Sequence, residues 1–142
     1  MPLTIRDQWV LDRSESQCFL KSAPVRMEDG QGGTRVTLHI APGSLSINTE
    51  SDIDLSYTGT GINIDGSRHF DLETVDRRTN LSFSKQRQAI LASMQSGRDL
   101  QVTLGFWPTW PVTQTYSANI PLTHFASAMT AWETCNQLLS RK

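Results

Sequence analysis

Few residues of this chain have side chains that could do chemistry, and the two cysteines are the most informative of them. Cys18 follows an aromatic, strand-like segment, and Cys135 lies near the end of an amphipathic, helix-like segment. No Cys-x-x-Cys motif and no nearby histidine accompanies either one, so neither a redox pair nor a zinc site is indicated. A disulfide between two core-facing elements would place the protein in an oxidising compartment. The alternative is two free thiols buried as small hydrophobic groups.

The remaining candidate groups do not form a catalytic or metal-binding pattern. The three histidines fall on different predicted elements without ligand spacing; they are His39, His69 and His124. Acidic residues alternate along two predicted strands, which is typical of a solvated strand face; they are Asp52, Asp54, Asp71 and Glu73. No Gly-x-Ser-x-Gly nucleophile motif occurs. We therefore expect no catalytic residue, no metal site and no cofactor, and a protein that is not an enzyme.

Aromatic and basic residues instead suggest a contact surface. Residues 106–111 read Phe-Trp-Pro-Thr-Trp-Pro, and Trp107 and Trp110 beside rigid prolines could contact a partner protein or a sugar. The alternative, a strand end that packs over the core, stays open. Arg77 and Arg78 could bind an acidic partner or peptidoglycan in a basic patch that also includes Lys85, Arg87 and Arg98. The alternative for these charges is an ordinary solvated face.

Bulk properties limit the function classes. A chain of 142 residues fits one domain spanning residues 1–142. A net charge of −1 does not indicate a general nucleic-acid binder. No run of 18 apolar residues exists, so no membrane span is expected. Residues 1–6 lack the features of a signal peptide. With only 19% charged residues, we interpret the sequence as a mature periplasmic or secreted protein whose signal peptide has been removed; the alternative is a cytosolic protein.

Alternating apolar residues predict strands through most of the first 83 positions. A hairpin is predicted from residues 8–13 and 17–21, and a second around the turn at Pro42 and Gly43. Residues 27–33 contain three glycines and are predicted to form a flexible loop. Further strands are predicted at residues 52–57, 62–64, 70–74 and 81–83, and then at 100–106 and 113–120.

Two segments have helical rather than strand periodicity. The first follows Ser84, a possible N-cap, ends before Gly97, and has an apolar stripe formed by Ala89, Ile90, Leu91 and Met94. The second runs from about Thr123, a possible N-cap, to Leu139, and its apolar face consists of Phe125, Ala128, Met129, Trp132, Cys135 (or Asn136) and Leu139. The expected fold is α+β and mostly β: an antiparallel sheet or partly open β-barrel with two packed helices.

The cysteine segments and the elements between them resemble the N-terminal domain of MotY, a component of the periplasmic ring around sodium-driven polar flagellar motors. The resemblance covers nearly the whole chain and rests on Trp9-Val-Leu11, Gln17-Cys18-Phe19-Leu20, the hairpin residues 36–47, the helix 90–97, Phe106-Trp107, Ile120-Pro-Leu122, and Phe125 with Cys135-Asn-Gln-Leu-Leu139. A looser resemblance is to secreted proteins of the invasion-associated locus B type, which also have an early Trp beside a Cys and a late helix ending in Cys.

The MotY resemblance implies a β-rich periplasmic domain with a disulfide between Cys18 and Cys135. It also implies docking to the flagellar basal body and to the partner MotX. In that family this docking helps to hold stator units in place. Members of that family carry a second, OmpA-like peptidoglycan-binding domain, whereas this sequence ends three residues after Leu139. We expect either one domain of such a protein or a separate relative. Two other functions stay open: a secreted inhibitor or immunity-type protein, and a cell-wall glycan-binding module.

Overall fold

The computed structural model describes residues 3–5, 8–107 and 114–140, and within them the fold is mostly β. The strands are β1 Leu3–Ile5, β2 Trp9–Arg13, β3 Cys18–Ser22, β4 Val25–Met27, β5 Thr34–Ala41, β6 Ser44–Asn48, β7 Ile53–Asp54, β8 Gly61–Ile64, β9 Arg68–Phe70, β10 Thr74–Asp76, β11 Asn80–Ser82, β12 Asp99–Phe106 and β13 Tyr116–Pro121. The helices are α1 Arg87–Ser96, preceded by a 3₁₀ turn at Ser84–Gln86, and α2 Phe125–Ser140.

The strands form two antiparallel sheets. The larger has the order β1-β2-β3-β5-β6-β11-β10, and β4 also pairs with β5. The smaller has the order β13-β12-β8-β9, and β7 also pairs with β12. Within the described residues the sheets do not close into a barrel, so the predicted fold class is confirmed in its open form. The core lies between the sheets and the helices, and the predicted inward side chains of β5 and β12 are buried: Val36, Leu38, Ile40, Leu100, Val102, Leu104 and Phe106.

A proline divides what would otherwise be one strand into β3 and β4. Both pair with β5, β3 near Ile40 and β4 near Val36. Pro24 has no N–H to donate, so the ladder is interrupted there. At the interruption the buried hydroxyl of Ser22 accepts a hydrogen bond of 2.9 Å from the N–H of Leu38. Ser22 thereby satisfies a main-chain donor that the missing strand pairing would have left unpaired.

The prediction of a strand at residues 52–57 is wrong beyond Asp54. The carboxylate of Asp54 accepts hydrogen bonds from both the N–H and the hydroxyl of Ser56, at 2.8 and 2.7 Å. An Asp that binds the backbone two residues later stabilises a turn in competition with the strand. Leu55 is therefore 49% exposed instead of facing the core, and Asp54 is buried instead of lying on a solvated face.

The glycine-rich loop after β4 is held by a buried carboxylate, in contrast to the flexible loop that we predicted. Asp29 accepts hydrogen bonds from the N–H groups of Gln31 and Gly33, at 2.7 and 2.8 Å, and from the hydroxyl of Ser51. Burial by itself would raise the pKa of Asp29, but these hydrogen bonds outweigh it and lower the pKa. The loop is thus attached to the segment that follows β6.

Helix α1 begins differently from the prediction. Ser84 is not its N-cap: the chain first makes a 3₁₀ turn, and the hydroxyl of Ser84 lies 3.0 Å from that of Ser82. The carboxylate of Glu73 instead accepts the N–H groups of Lys85 and Gln86, each at 3.0 Å. A carboxylate is favoured there because the free N–H groups carry partial positive charge.

The inner face of α1 and its C-terminal glycine also differ in part from the prediction. Ile90, Leu91 and Met94 are buried as predicted, but Ala89 is exposed. Gly97 follows the helix with an extended backbone, φ −89°, not the left-handed conformation of a usual C-terminal glycine. A Cβ at this position would lie 2.6 Å from the Ile64 side chain, so glycine permits a close approach of the helix end to β8.

Helix α2 packs against β2 and β3, and its predicted apolar face is confirmed. Phe125, Ala128, Met129 and Trp132 are buried, and Cys135 and Leu139 are partly buried against the core. The helix starts at Phe125, so the main-chain carbonyl of Thr123 is free to accept the indole N–H of Trp9 at 3.0 Å. The Trp9 and Phe125 rings lie 5.0 Å apart.

Cys18 and Cys135 form a disulfide, which confirms that prediction. Their Cα atoms are 6.1 Å apart, and 117 positions separate them in the sequence. Pairing of β3 with β5 begins only at Leu20, so Cys18 lies beyond that ladder. Helix α2 supplies the hydrogen bonds that β5 does not: the side-chain oxygen of Asn136 accepts the N–H of Cys18 at 3.0 Å, and the Trp132 indole donates to the carbonyl of Cys18 at 2.8 Å. Cysteine, tryptophan and asparagine on one helix face thus fix α2 to β3.

The helices bear on the predicted absence of a membrane span. Within the described part of the chain, neither combines the length and the apolar character required to cross a bilayer. The disulfide is compatible with a location outside the reducing cytosol.

Candidate functional site

The predicted contact residues Trp107 and Arg78 lie on either side of Asp52. The N–H of Trp107 donates to the main-chain carbonyl of Asp52 at 2.9 Å. The guanidinium of Arg78 lies 3.6 Å from the Asp52 carboxylate. The three residues line a surface cavity of about 320 Å³. We call Asp52, Arg77, Arg78 and Trp107 the Trp107–Arg78 patch.

The arginines occupy the tip of the β10–β11 hairpin in an uncommon backbone conformation. Arg77 and Arg78 have φ values of 55° and 66°, both in the left-handed region. The β8–β9 hairpin has the same pair of left-handed residues, but there they are Asp65 and Gly66, with φ values of 55° and 72°. Asp and Gly tolerate this region, whereas an arginine in it is strained. The β10–β11 tip therefore carries two cations where other residues would fold more easily.

Main-chain hydrogen bonds fix this tip relative to Trp107. The carbonyl of Arg78 accepts the N–H of Ile53 at 2.8 Å, and the carbonyl of Thr79 accepts the N–H of Thr49 at 2.9 Å. Ile53 in turn pairs with Phe106, the residue before Trp107. The guanidinium of Arg78 and the indole of Trp107 are thus presented by a continuous hydrogen-bonded framework.

Trp107 is exposed although its neighbours in β12 are buried. It is 55% exposed, compared with 3% for Phe106. The predicted alternative, packing of residues 106–111 over the core, thus holds for Phe106 and not for Trp107. Trp110, the other predicted aromatic contact, lies outside the described residues.

The wider basic patch predicted from the sequence does not form one surface. Arg87 donates to the carbonyls of Ala41 and Ser44, each at 3.2 Å, and its guanidinium lies 5.7 Å from the Trp132 ring centroid. Arg87 therefore stabilises the contact between the β5–β6 turn and α2. Arg98 lies beside Asp65, at the opposite end of β12 from Trp107.

The histidines and the paired acids do not converge on a reactive centre. His39 pairs across strands with Lys21, and burial together with the Lys21 charge lowers its pKa. His69 lies between Asn63 and Asp71, with its ring nitrogens 3.0 and 2.9 Å from their oxygens. Among the residues that the structure describes, no three His, Cys, Asp or Glu side chains are placed to hold a metal ion.

Sequence reasoning identified three residues of the patch and missed the role of the fourth. Asp52 was interpreted as one of a pair of solvated acids, but it connects Arg78 to Trp107 through its side chain and its carbonyl. No local pattern indicates this, because the contact joins segments separated by more than twenty residues. The left-handed turn was also missed, since Arg-Arg carries no turn signal.

Comparison of the chain with protein-family models, with curated proteins and with solved structures found no match. The resemblances to MotY and to invasion-associated locus B proteins therefore remain predictions.

Proposed function

We propose that this chain is a non-enzymatic periplasmic domain that binds another envelope protein through the Trp107–Arg78 patch. The observation that carries the proposal is the pair of left-handed arginines held beside an exposed tryptophan. Strained backbone is retained mainly where function requires it. Tryptophan and arginine are also the side chains that most often dominate the binding energy of protein interfaces.

The nature of the partner follows from the patch and from the resemblance. Arg77 and Arg78 with one carboxylate, Asp52, give the patch an excess of positive charge, which suits an acidic partner surface. The resemblance to the MotY N-terminal domain suggests a MotX-like protein or a basal-body component as that partner. The disulfide supports an oxidising compartment, for which the periplasm is our proposal.

The proposal is tested by replacing Trp107 with alanine and following recruitment of a fluorescent fusion to the envelope of cells with sodium-driven polar flagella. We expect Trp107→Ala to reduce recruitment about thirtyfold, corresponding to a hot-spot loss of about 2 kcal/mol. Leu138→Ala is a matched control, because Leu138 on α2 is 56% exposed and Trp107 is 55% exposed. Leu138→Ala should leave recruitment unchanged.

A second variant separates docking from folding. Arg77→Asn with Arg78→Gly removes both cations but keeps the main-chain carbonyls that bind β7 and Thr49. It should fold at least as well as the original chain and should lose recruitment. Normal recruitment of folded Trp107→Ala and of the double variant would show that this patch is not the contact surface.

A further inference from the structure

A groove lined by polar side chains lies on the smaller sheet and includes the start of β12, whereas Trp107 follows the end of that strand. Strand register places three amide side chains side by side: Asn63 on β8, Gln101 on β12 and Asn119 on β13. They lie on the outer face, since the residues that alternate with them in these strands, Ile62, Val102 and Ala118, are buried. These amides line a surface cavity of about 590 Å³ together with Asp65, Arg98 and Asp99. We call this cavity the amide groove.

The end of the groove next to the amides is fixed in place. The carboxylate of Asp65 accepts the N–H groups of Arg98 and Asp99, at 2.9 and 3.0 Å. The N–H of Asp65 donates to the carbonyl of Asp99 at 3.1 Å. These bonds attach the β8–β9 loop to the start of β12, so a ligand would enter a preformed groove and would not have to order a loop.

Two of the three amides have unused hydrogen-bonding capacity. Asn63 is engaged by His69, whose ring nitrogen lies 3.0 Å from its side-chain oxygen. The side chains of Gln101 and Asn119 make no hydrogen bond within the described part of the chain. Each such amide offers two N–H donors and one carbonyl acceptor. The side chains of Gln101 and Asn119 therefore offer both donors and acceptors to a ligand in the groove.

The charges of the groove select the class of ligand. Asp65 and Asp99 contribute two carboxylates and Arg98 one guanidinium, so the lining has a net negative charge. Main-chain hydrogen bonds from Asp99 and Arg98 also lower the pKa of Asp65, which keeps its carboxylate ionised at neutral pH. Phosphates and acidic peptides are disfavoured by repulsion. Sugar hydroxyls are both donors and acceptors, and they match the amides in polarity and in charge.

We propose that the amide groove binds a neutral oligosaccharide. This proposal rests on a different surface from the docking function and stands independently of it. Among the described residues, no aromatic ring lines the groove to stack on a sugar. Binding would therefore depend on hydrogen bonds alone, and we expect weak affinity, with a Kd of about 1 mM.

The test is an NMR titration of the ¹⁵N-labelled chain with the β-1,4-linked tetramer of N-acetylglucosamine. We expect saturable shifts of the side-chain NH₂ signals of Gln101 and Asn119. The double variant Gln101→Ala with Asn119→Ala should bind about tenfold more weakly or worse, since each lost hydrogen bond costs severalfold in affinity. Gln137→Ala, which removes an exposed amide on α2, is the matched control and should bind normally.

Several outcomes would overturn the proposal. The first is the absence of saturable shifts at tetramer concentrations of about 20 mM, well above the expected Kd. Undiminished binding by the folded double variant is a second, and shifts confined to another surface are a third.

Asn119→Asp keeps the shape of the groove and adds a third carboxylate. It should weaken binding in the same way if the amide N–H groups donate to the sugar.

Discussion

At the scale of single residues, carboxylates replace main-chain partners where this fold leaves N–H groups unpaired. Asp29 binds the glycine-rich loop, Glu73 caps α1, and Asp65 attaches the β8–β9 loop to β12. In each case the oxygens accept N–H groups in a loop or at the start of a secondary-structure element. These three acids thus have structural roles in the described part of the chain.

These carboxylates make the stability of the protein depend on acid. Burial by itself would raise the folded-state pKa of Asp29 and of Glu73, but hydrogen bonds outweigh it and lower both pKa values below the ordinary 3.8 and 4.5. Their contribution to stability is present above those values and is lost as the pH falls through the lowered folded-state pKa. We expect the free energy of unfolding, measured by urea denaturation, to decrease slightly below pH 6.5, where the unfolded chain protonates His39, and more steeply from about pH 4.5 downwards, where the carboxylates are protonated.

The variant Glu73→Gln isolates one of these contributions. At neutral pH it should cost about 1 kcal/mol, the usual effect of weakening a helix cap. Its stability should then fall less steeply with acid than that of the original chain. Glu15→Gln serves as control, because Glu15 is exposed and makes no hydrogen bond or ion pair within the described residues. If the curves for Glu73→Gln and the original chain stay parallel, Glu73 is not the source of the acid dependence.

At the scale of elements, two hairpins with the same turn conformation differ in the residues that form it. The β8–β9 turn uses Asp65 and Gly66, and the β10–β11 turn uses Arg77 and Arg78. In both hairpins the strand registers leave a three-residue connection. The comparison indicates that β10–β11 gives up stability to present its two cations, as functional sites often do.

Replacing the arginine turn should therefore stabilise the protein. We expect Arg77→Asn with Arg78→Gly to raise the free energy of unfolding by about 1–2 kcal/mol, because these residues tolerate the left-handed region. Gly66→Arg is the converse control. A Cβ there meets no atom within 4 Å, so the only cost is backbone strain, and it should destabilise by about 1 kcal/mol. A double variant that is less stable than the original chain would contradict the comparison.

At the scale of the whole molecule, the disulfide connects β3 near the start of the chain to the last helix. It encloses 117 positions, which in the chain-entropy account is worth about 4–5 kcal/mol. That is comparable to the net stability of a small domain. The bonds from Trp132 and Asn136 to Cys18 act at the same junction, so packing and cross-link support one another there.

Removing the disulfide should bring the protein close to unfolding. We expect Cys18→Ala with Cys135→Ala to lose roughly 4 kcal/mol in urea denaturation. The original chain reduced with dithiothreitol should lose a similar amount, which separates loss of the cross-link from loss of packing. Mass analysis without reductant should give a mass about 2 Da below that of the reduced chain. Free thiols in protein from an oxidising compartment would contradict the cross-link.

The sequence by itself was sufficient for the features that depend on local periodicity. Alternation identified the core side chains of β5, β6 and β12, and helical spacing identified the buried face of α2 with Cys135 at its edge. These predictions succeed because one face of a strand or helix packs against the core and the other faces water. The spacing of apolar side chains along the sequence therefore shows which face is buried.

Only the tertiary structure decided which distant groups meet. The cap of α1 by Glu73, the turn made by Asp54 and Ser56, and the connection of Arg78 to Trp107 through Asp52 follow from contacts between segments. The same holds for the alignment of Asn63, Gln101 and Asn119 across three strands, which depends on register. A short polar side chain has several possible hydrogen-bond partners, and the residues next to it in the sequence do not select among them. The partner is decided by which distant segments the pairing of the strands brings close.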